Sequence, residues 1–269
     1  MKTSNRLSGG PAGSATPETE MARPDILTYH KIGSQFEVGI TSVSAARFRQ
    51  HLELLIATGK RFVTAGHMVA GGLNGNAVAL TFDDGYESVY TEVLPEMQER
   101  GITGTVFPVV GAIGSDNRWD IRLSFKRFRH VTGGQLAELA RSGFEVGSHT
   151  MSHRDLTRLS ATALMRELRV SKRVLEDRLG VEVKSIAFPF GRFNTRVIGA
   201  AMAAGYTCGF ASAPNDSGSV MTVGRMGVHA MDGVAALARK LGLRPGLRFE
   251  VMKGKAIANL ALITTLLKR

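Results

Sequence analysis

Three short segments of this chain carry the residue types that hold a metal ion and move a proton. His149-Thr150-Met151-Ser152-His153 sets two imidazoles four residues apart. On one helical turn, or on a loop folded like one, that spacing lets both reach a single ion. No Glu lies between them, so the arrangement is not HExxH and a base has to come from elsewhere. Thr81-Phe82-Asp83-Asp84-Gly85 offers one. Two adjacent carboxylates at the end of an apolar run repel each other unless a cation or a proton separates their roles. Gly85 permits the sharp turn that would bring both toward one cavity. A plain turn or a helix N-cap is the other reading of the same residues, since Asp and Gly are favoured in both. In Ala187-Phe188-Pro189-Phe190-Gly191, Pro189 fixes the approach of the chain and donates nothing, so the Phe190 N–H could point at a developing oxyanion. An ordinary strand exit is the alternative there.

The elements that must position these residues follow from the apolar pattern. Short apolar runs that end in turn signals alternate with helical stretches, the pattern of an α/β fold with a largely parallel sheet or barrel. Strands are expected at Ile26–Tyr29, Ala77–Phe82, Thr105–Val110, Phe144–Gly147, Ser185–Phe188 and Cys208–Ala211. Helices are expected at Ser44–Thr58, Tyr90–Arg100, Gly134–Arg141, Ala161–Leu179 and Val197–Ala204, with Gly143 and Gly180 as stop signals. His30, Asp83 with Asp84, His149, and Pro189 with Phe190 each come just after an expected strand. Active sites of parallel barrels and open α/β sheets gather at the carboxyl ends of strands, so these segments point to one face.

The 269 residues, 43% hydrophobic and 21% charged, suffice for one sizeable core. Cys208 is the single cysteine, which excludes an intramolecular disulfide and a cysteine-based zinc site and leaves any metal to His, Asp or Glu. A net charge of +11 favours an anionic partner such as a membrane surface, a sugar phosphate or nucleic acid. Neither a zinc finger nor an aromatic-basic pattern is present, so no nucleic acid is expected. Residues 1–23 are rich in Ser, Gly, Pro and Thr without the apolar core of a signal peptide, and read as a disordered lead-in. No run reaches the roughly 18–20 apolar residues of a spanning helix, so a cytoplasmic or peripheral-membrane protein is expected. Residues 241–269 mix Lys and Arg with an apolar stretch. They would either pack on the core or lie on an anionic membrane surface.

Taken together and in this order, the three motifs resemble the polysaccharide deacetylase family, the NodB-like carbohydrate esterases of family 4. The likeness runs from Pro24 to Asp232, within a catalytic domain expected at residues 24–240. Leu27-Thr28-Tyr29-His30 and Arg61-Phe62-Val63-Thr64 look like entry segments of members tied to exopolysaccharide biosynthesis. The resemblance implies a distorted, incomplete (β/α) barrel of about seven strands. It also implies hydrolysis of an N-acetyl or N-formyl group on an aminosugar, in a polysaccharide or a lipid-linked precursor. Asp83 would be the base, and Asp84, His149 and His153 the ligands of a divalent ion. Two imidazoles and one carboxylate favour zinc and also accept cobalt, nickel or iron.

The chain departs from the family pattern in two places. An Arg that commonly precedes the third motif's Pro by two residues, and orients the catalytic Asp, is Ala187 here. Arg225 or Arg192 could supply that charge from another loop, and Arg225 fits better because it leads into His229. The family's Asp-Trp motif is not evident after Gly191. Val228-His229 is a loose match to the late motif whose histidine is the general acid, against a surface histidine as the alternative. His30 is expected at the substrate, or else closing its strand against backbone. Trp119 would line the sugar site or pack. A cyclic-amide hydrolase on the same fold and a sugar-binding domain without turnover remain open readings, and oligomeric state is not addressed by the sequence.

Overall fold

The computed structural model describes residues 25–33, 41–72, 76–116, 128–212 and 219–266, with side chains described as far as residue 257. The expected lead-in and Trp119 lie outside the described residues.

Ten strands and eight α-helices follow along the described chain. The strands are β1 (Asp25–Tyr29), β2 (Lys31–Ile32), β3 (Ser42–Val43), β4 (Arg61–Phe62), β5 (Ala77–Asp84), β6 (Thr105–Pro108), β7 (Glu145–Val146), β8 (Ser185–Ala187), β9 (Cys208–Ser212) and β10 (Val223–Gly227). The helices are α1 (Ala45–Ala57), α2 (Ala65–Ala70), α3 (Leu94–Glu99), α4 (Gly133–Arg141), α5 (Ala161–Leu179), α6 (Thr195–Ala203), α7 (Val234–Lys240) and α8 (Leu247–Leu266).

Seven strands pair in the order β7-β6-β5-β1-β10-β9-β8, all in parallel, with β4 added beside β5. Across the one remaining seam, Ser148 forms a single parallel bridge to Ile186 in β8. Its N–H donates to the Ser185 carbonyl and its own carbonyl accepts from Ala187 N–H. The sheet is thus nearly closed, as the incomplete barrel expected from the sequence. Every residue of β5 is buried, because helices cover the outside and side chains fill the inside. That is why this strand reads as an unbroken apolar run before its two carboxylates.

Helix boundaries follow capping chemistry. Ser44, Thr132, Ser160 and Asn194 each accept a backbone N–H at the start of α1, α4, α5 and α6. Gly180 ends α5 at φ 67. The stretch expected to be one helix from Tyr90 begins instead as a π-turn, Val89–Val93, and becomes α-helical at Leu94. Pro95 lies in the first turn of α3 and has no N–H for the regular ladder, so the wider turn takes up the break. The strand expected over Phe144–Gly147 is only the two residues of β7, which sits at the seam and has one full neighbour.

Candidate active site

The carboxyl end of β5 delivers the two carboxylates in opposite ways. Asp83 points to Arg225 on β10, whose NH1 donates to Oδ1 at 2.8 Å and NH2 to Oδ2 at 2.7 Å. Arg225 is itself buried, lies over the Phe107 and Phe210 rings, and also donates to Thr81 Oγ1 at 3.1 Å. The guanidinium expected from a loop is therefore held on a strand, two strands away from Asp83, with its planar fork matched to the carboxylate. Burial pushes the Asp83 carboxyl upward, but the charges of Arg225 and His149 and the Arg225 hydrogen bonds outweigh it and leave the pKa at about 2.

Asp84 turns the other way, at φ 68, as the chain enters Gly85 at φ 69. Gly85 has to be glycine: a Cβ there would stand 2.7 Å from Pro108 Cβ and 2.8 Å from Pro108 Cα. Asp84 Oδ1 then lies 3.6 Å from His149 Nε2 and 3.5 Å from His153 Nε2. One donor atom from each of these three residues falls within 4.8 Å of the others, the spread of a three-point metal site. His130 supports this turn from below, with Nδ1 2.9 Å from the Asp84 carbonyl and its ring stacked on Tyr86.

The two histidines are carried by a loop, not by a helical turn. Thr150 and His153 take left-handed φ values of 67 and 54. The Glu167 carboxylate, from α5, accepts Met151 N–H at 3.0 Å, Ser152 N–H at 2.9 Å and the Ser152 hydroxyl at 2.5 Å. His149 Nδ1 lies 2.8 Å from the Ala187 carbonyl. A carbonyl only accepts, so the proton sits on Nδ1 and the Nε2 lone pair faces Asp84. Burial, opposed by nearby Asp83, brings the His149 pKa down to about 4, which keeps the ring neutral and able to donate that pair.

The Pro189–Gly191 turn completes the rim. Phe190 is left-handed at φ 59 and its ring meets His153 edge-on, centroids 4.7 Å apart. Gly191 follows at φ 64, where a Cβ would collide with Ser212 at 2.5 Å. Arg192 does not reach Asp83. It pairs with Asp155 at 2.9 Å, tying this turn to the loop beyond His153.

His229 lies two residues beyond the end of β10, the strand that carries Arg225. Its N–H donates to Asp232 Oδ2 at 2.8 Å and its Nδ1 lies 3.4 Å from the same oxygen. Burial lowers the His229 pKa while the Asp232 carboxylate draws it back up. His30 acts on the ionisation of both Asp83 and His229, and its Nδ1 is buried without a hydrogen-bond partner among the described residues. The alternative in which His30 closes its strand through that nitrogen is thus not what is seen. Asp232 and Glu167 were not anticipated from the sequence. The His-x2-Asp spacing of His229 and Asp232 could have suggested the first, whereas nothing local marks Glu167 within its helix.

Barrels that work from the carboxyl ends of parallel strands form the class to which this rim belongs. The polysaccharide deacetylase family model matches residues 70–209, and the chain belongs to that family, hydrolases acting on amide C–N bonds. The chain is 28% identical over 198 residues to YxkH of Bacillus subtilis, covering 72% of this chain and 66% of that protein, just under two thirds of its length. It is 24% identical over 210 residues to the poly-beta-1,6-N-acetyl-D-glucosamine N-deacetylase of Staphylococcus aureus, covering 68% and 70%. Among solved structures, the Streptococcus pyogenes deacetylase PplD in complex with acetate superposes with a TM-score of 0.69 at 20% identity over 80% of this chain and 96% of that one. IcaB from Ammonifex degensii gives 0.64 at 23% identity, covering 81% and 94%. These two likenesses speak for the fold.

Proposed function

We propose that the protein is a divalent-metal-dependent hydrolase that removes the N-acetyl, or N-formyl, group of an aminosugar within a polysaccharide or its lipid-linked precursor. The observation that carries this reading is the division of labour at the end of β5. One carboxylate faces two imidazoles whose Nε2 atoms are 3.6 and 3.5 Å from it, and its neighbour is kept apart and ionised by Arg225. The donor set fits a divalent ion by its chemistry: neutral imidazole Nε2, fixed by the Nδ1 contact with a carbonyl, plus one carboxylate oxygen. Asp84, His149 and His153 would hold it, with zinc favoured. When bound, such an ion supplies Lewis acidity toward the amide carbonyl and the attacking water.

The chain's own groups do the rest. Asp83, ionised at neutral pH, accepts the proton that the attacking water gives up. Arg225 keeps that carboxylate charged and aimed. The Phe190 N–H is the candidate donor to the oxyanion that forms as water oxygen bonds to the acyl carbon. His229, steadied by Asp232, gives a proton to the sugar nitrogen as the C–N bond breaks, releasing acetate or formate and a free amine. His30 and Pro189 line the substrate side, and Trp119 is assigned there from the sequence. The aminosugar polymer is supported by family membership and by the name of the S. aureus relative.

The test is release of acetate and formate from β-1,6- and β-1,4-linked N-acetylglucosamine oligomers by metal-loaded enzyme, chelated enzyme and Asp83→Asn. Release should vanish on chelation, return with the metal, and fall by about 10²-fold or more in the variant. No release from protein that holds one metal per chain would transfer the assignment to a different amide, or to a binding domain without turnover.

A further inference from the structure

The part of helix α8 whose side chains are described, residues 247–257, is built inside out. At 100° per residue, Glu250, Lys253 and Ile257 share one side of the helix, and Arg248, Phe249, Met252, Lys255 and Ala256 fall within an arc of about 120° on the other. In an ordinary surface helix the apolar stripe faces the core and the charges face water. Here the inward side carries the charges. Glu250 is only 1% exposed and accepts from Arg239 at 2.7 and 2.9 Å, while Lys253 donates to Asp232 and Glu250, each at 2.5 Å. Two large apolar side chains point out instead: Phe249 is 63% and Met252 70% exposed, flanked by exposed Arg248 and Lys255. Among the described residues, no helix is long and apolar enough to cross a membrane.

We propose that this outward face docks on an anionic phospholipid surface, with Phe249 and Met252 inserted at the headgroup level and Arg248 and Lys255 on the lipid phosphates. Charge chooses this occupant over a second copy of the chain. A two-fold contact would bring the same two cations against themselves, in a molecule already carrying a net charge of +11. Lipid phosphates neutralise them, at about 1 kcal/mol for each basic residue near the surface. α8 is in contact with the Pro189–Gly191 turn and β10. A bilayer docked on α8 therefore lies beside a helix that touches the turn carrying Phe190 at the rim of the candidate active site. The inference does not rest on the proposed chemistry, and its test does not use turnover.

The full-length protein is sedimented with phosphatidylcholine vesicles, with and without phosphatidylglycerol. Binding is expected only to the anionic vesicles and should fade in high salt. Phe249→Ser/Met252→Ser and Arg248→Glu/Lys255→Glu should each lower the partition coefficient about tenfold or more, with melting temperatures unchanged, since all four side chains are exposed. Should a variant fail to fold, the salt and lipid-charge dependence of the wild type decides. Equal binding to neutral vesicles, or no effect of both folded variants, overturns the proposal. So does a dimer in solution that the apolar variant dissolves while no vesicle is bound.

Discussion

Four non-glycine residues of the described chain have left-handed backbone, Asp84, Thr150, His153 and Phe190, and all four line the candidate site. Such conformations cost about 1–3 kcal/mol each and persist only where the surroundings over-determine them. At the histidine loop that constraint is Glu167, whose carboxylate gathers three donors between His149 and His153. Glu167→Ala should therefore weaken zinc affinity about 10- to 100-fold, measured by competition with a chelating dye, with Glu167→Gln recovering part of it through its remaining carbonyl oxygen. Unchanged affinity in a folded Glu167→Ala protein would mean that the loop holds its shape unaided. What was legible at this scale were residues that announce themselves locally: Asp83 beside Asp84, His149 four before His153, Pro189 before Phe190. Arg225 was legible only as a choice between two arginines. Its reach to Asp83 spans 142 residues of sequence and depends on strand order, which no local pattern encodes.

Among the elements, the buried charge cluster beneath α8 has the clearest consequence. Asp232 is fully buried and gathers His229, Lys240 and Lys253. Burial alone would raise its carboxyl, but these partners hold it well below the ordinary value of 3.8. A carboxyl depressed in the folded state contributes stability that is present above its unfolded pKa and disappears as pH falls below that value. Asp232→Asn, which removes one of the two buried carboxylates that Lys240 and Lys253 share and leaves them to Glu250 alone, should cost about 3–5 kcal/mol in urea unfolding at pH 7. The gap to wild type should narrow below about pH 4, and a gap that stays constant with pH would contradict this account. Strands buried on both faces, such as β5, were legible as apolar runs. β10 was not, because Gly224, Arg225 and Gly227 interrupt its pattern. The start of α8 escaped for a related reason: over residues 248–255, with Glu250 and Lys253 inside and Phe249 and Met252 outside, the sequence does not show the stripe by which a packed helix is recognised.

On the scale of the whole molecule, an α/β fold with a largely parallel sheet or barrel was legible because strand and helix patterns alternate along the chain; the incomplete barrel of about seven strands came with the family resemblance, and the place where it fails to close was not legible. Among the described residues the one backbone bridge across the seam is at Ser148, immediately before His149, and His149 in turn contacts the carbonyl of Ala187 across it. A divalent ion held by Asp84, His149 and His153 would join the β5 side of the barrel to the segment that clasps β8. At a metal concentration about a hundred times Kd, stability should rise by about 2.7 kcal/mol, read as a higher melting temperature than the chelated protein shows. The amides of Ser148 and Ala187 donate across that seam, and deuterium should replace their protons sooner than those of β1 or β5. If metal slows that replacement at these two positions more than elsewhere, the ion is also the pin of a hoop, and starving the protein of metal would slacken the frame itself as well as silence its chemistry.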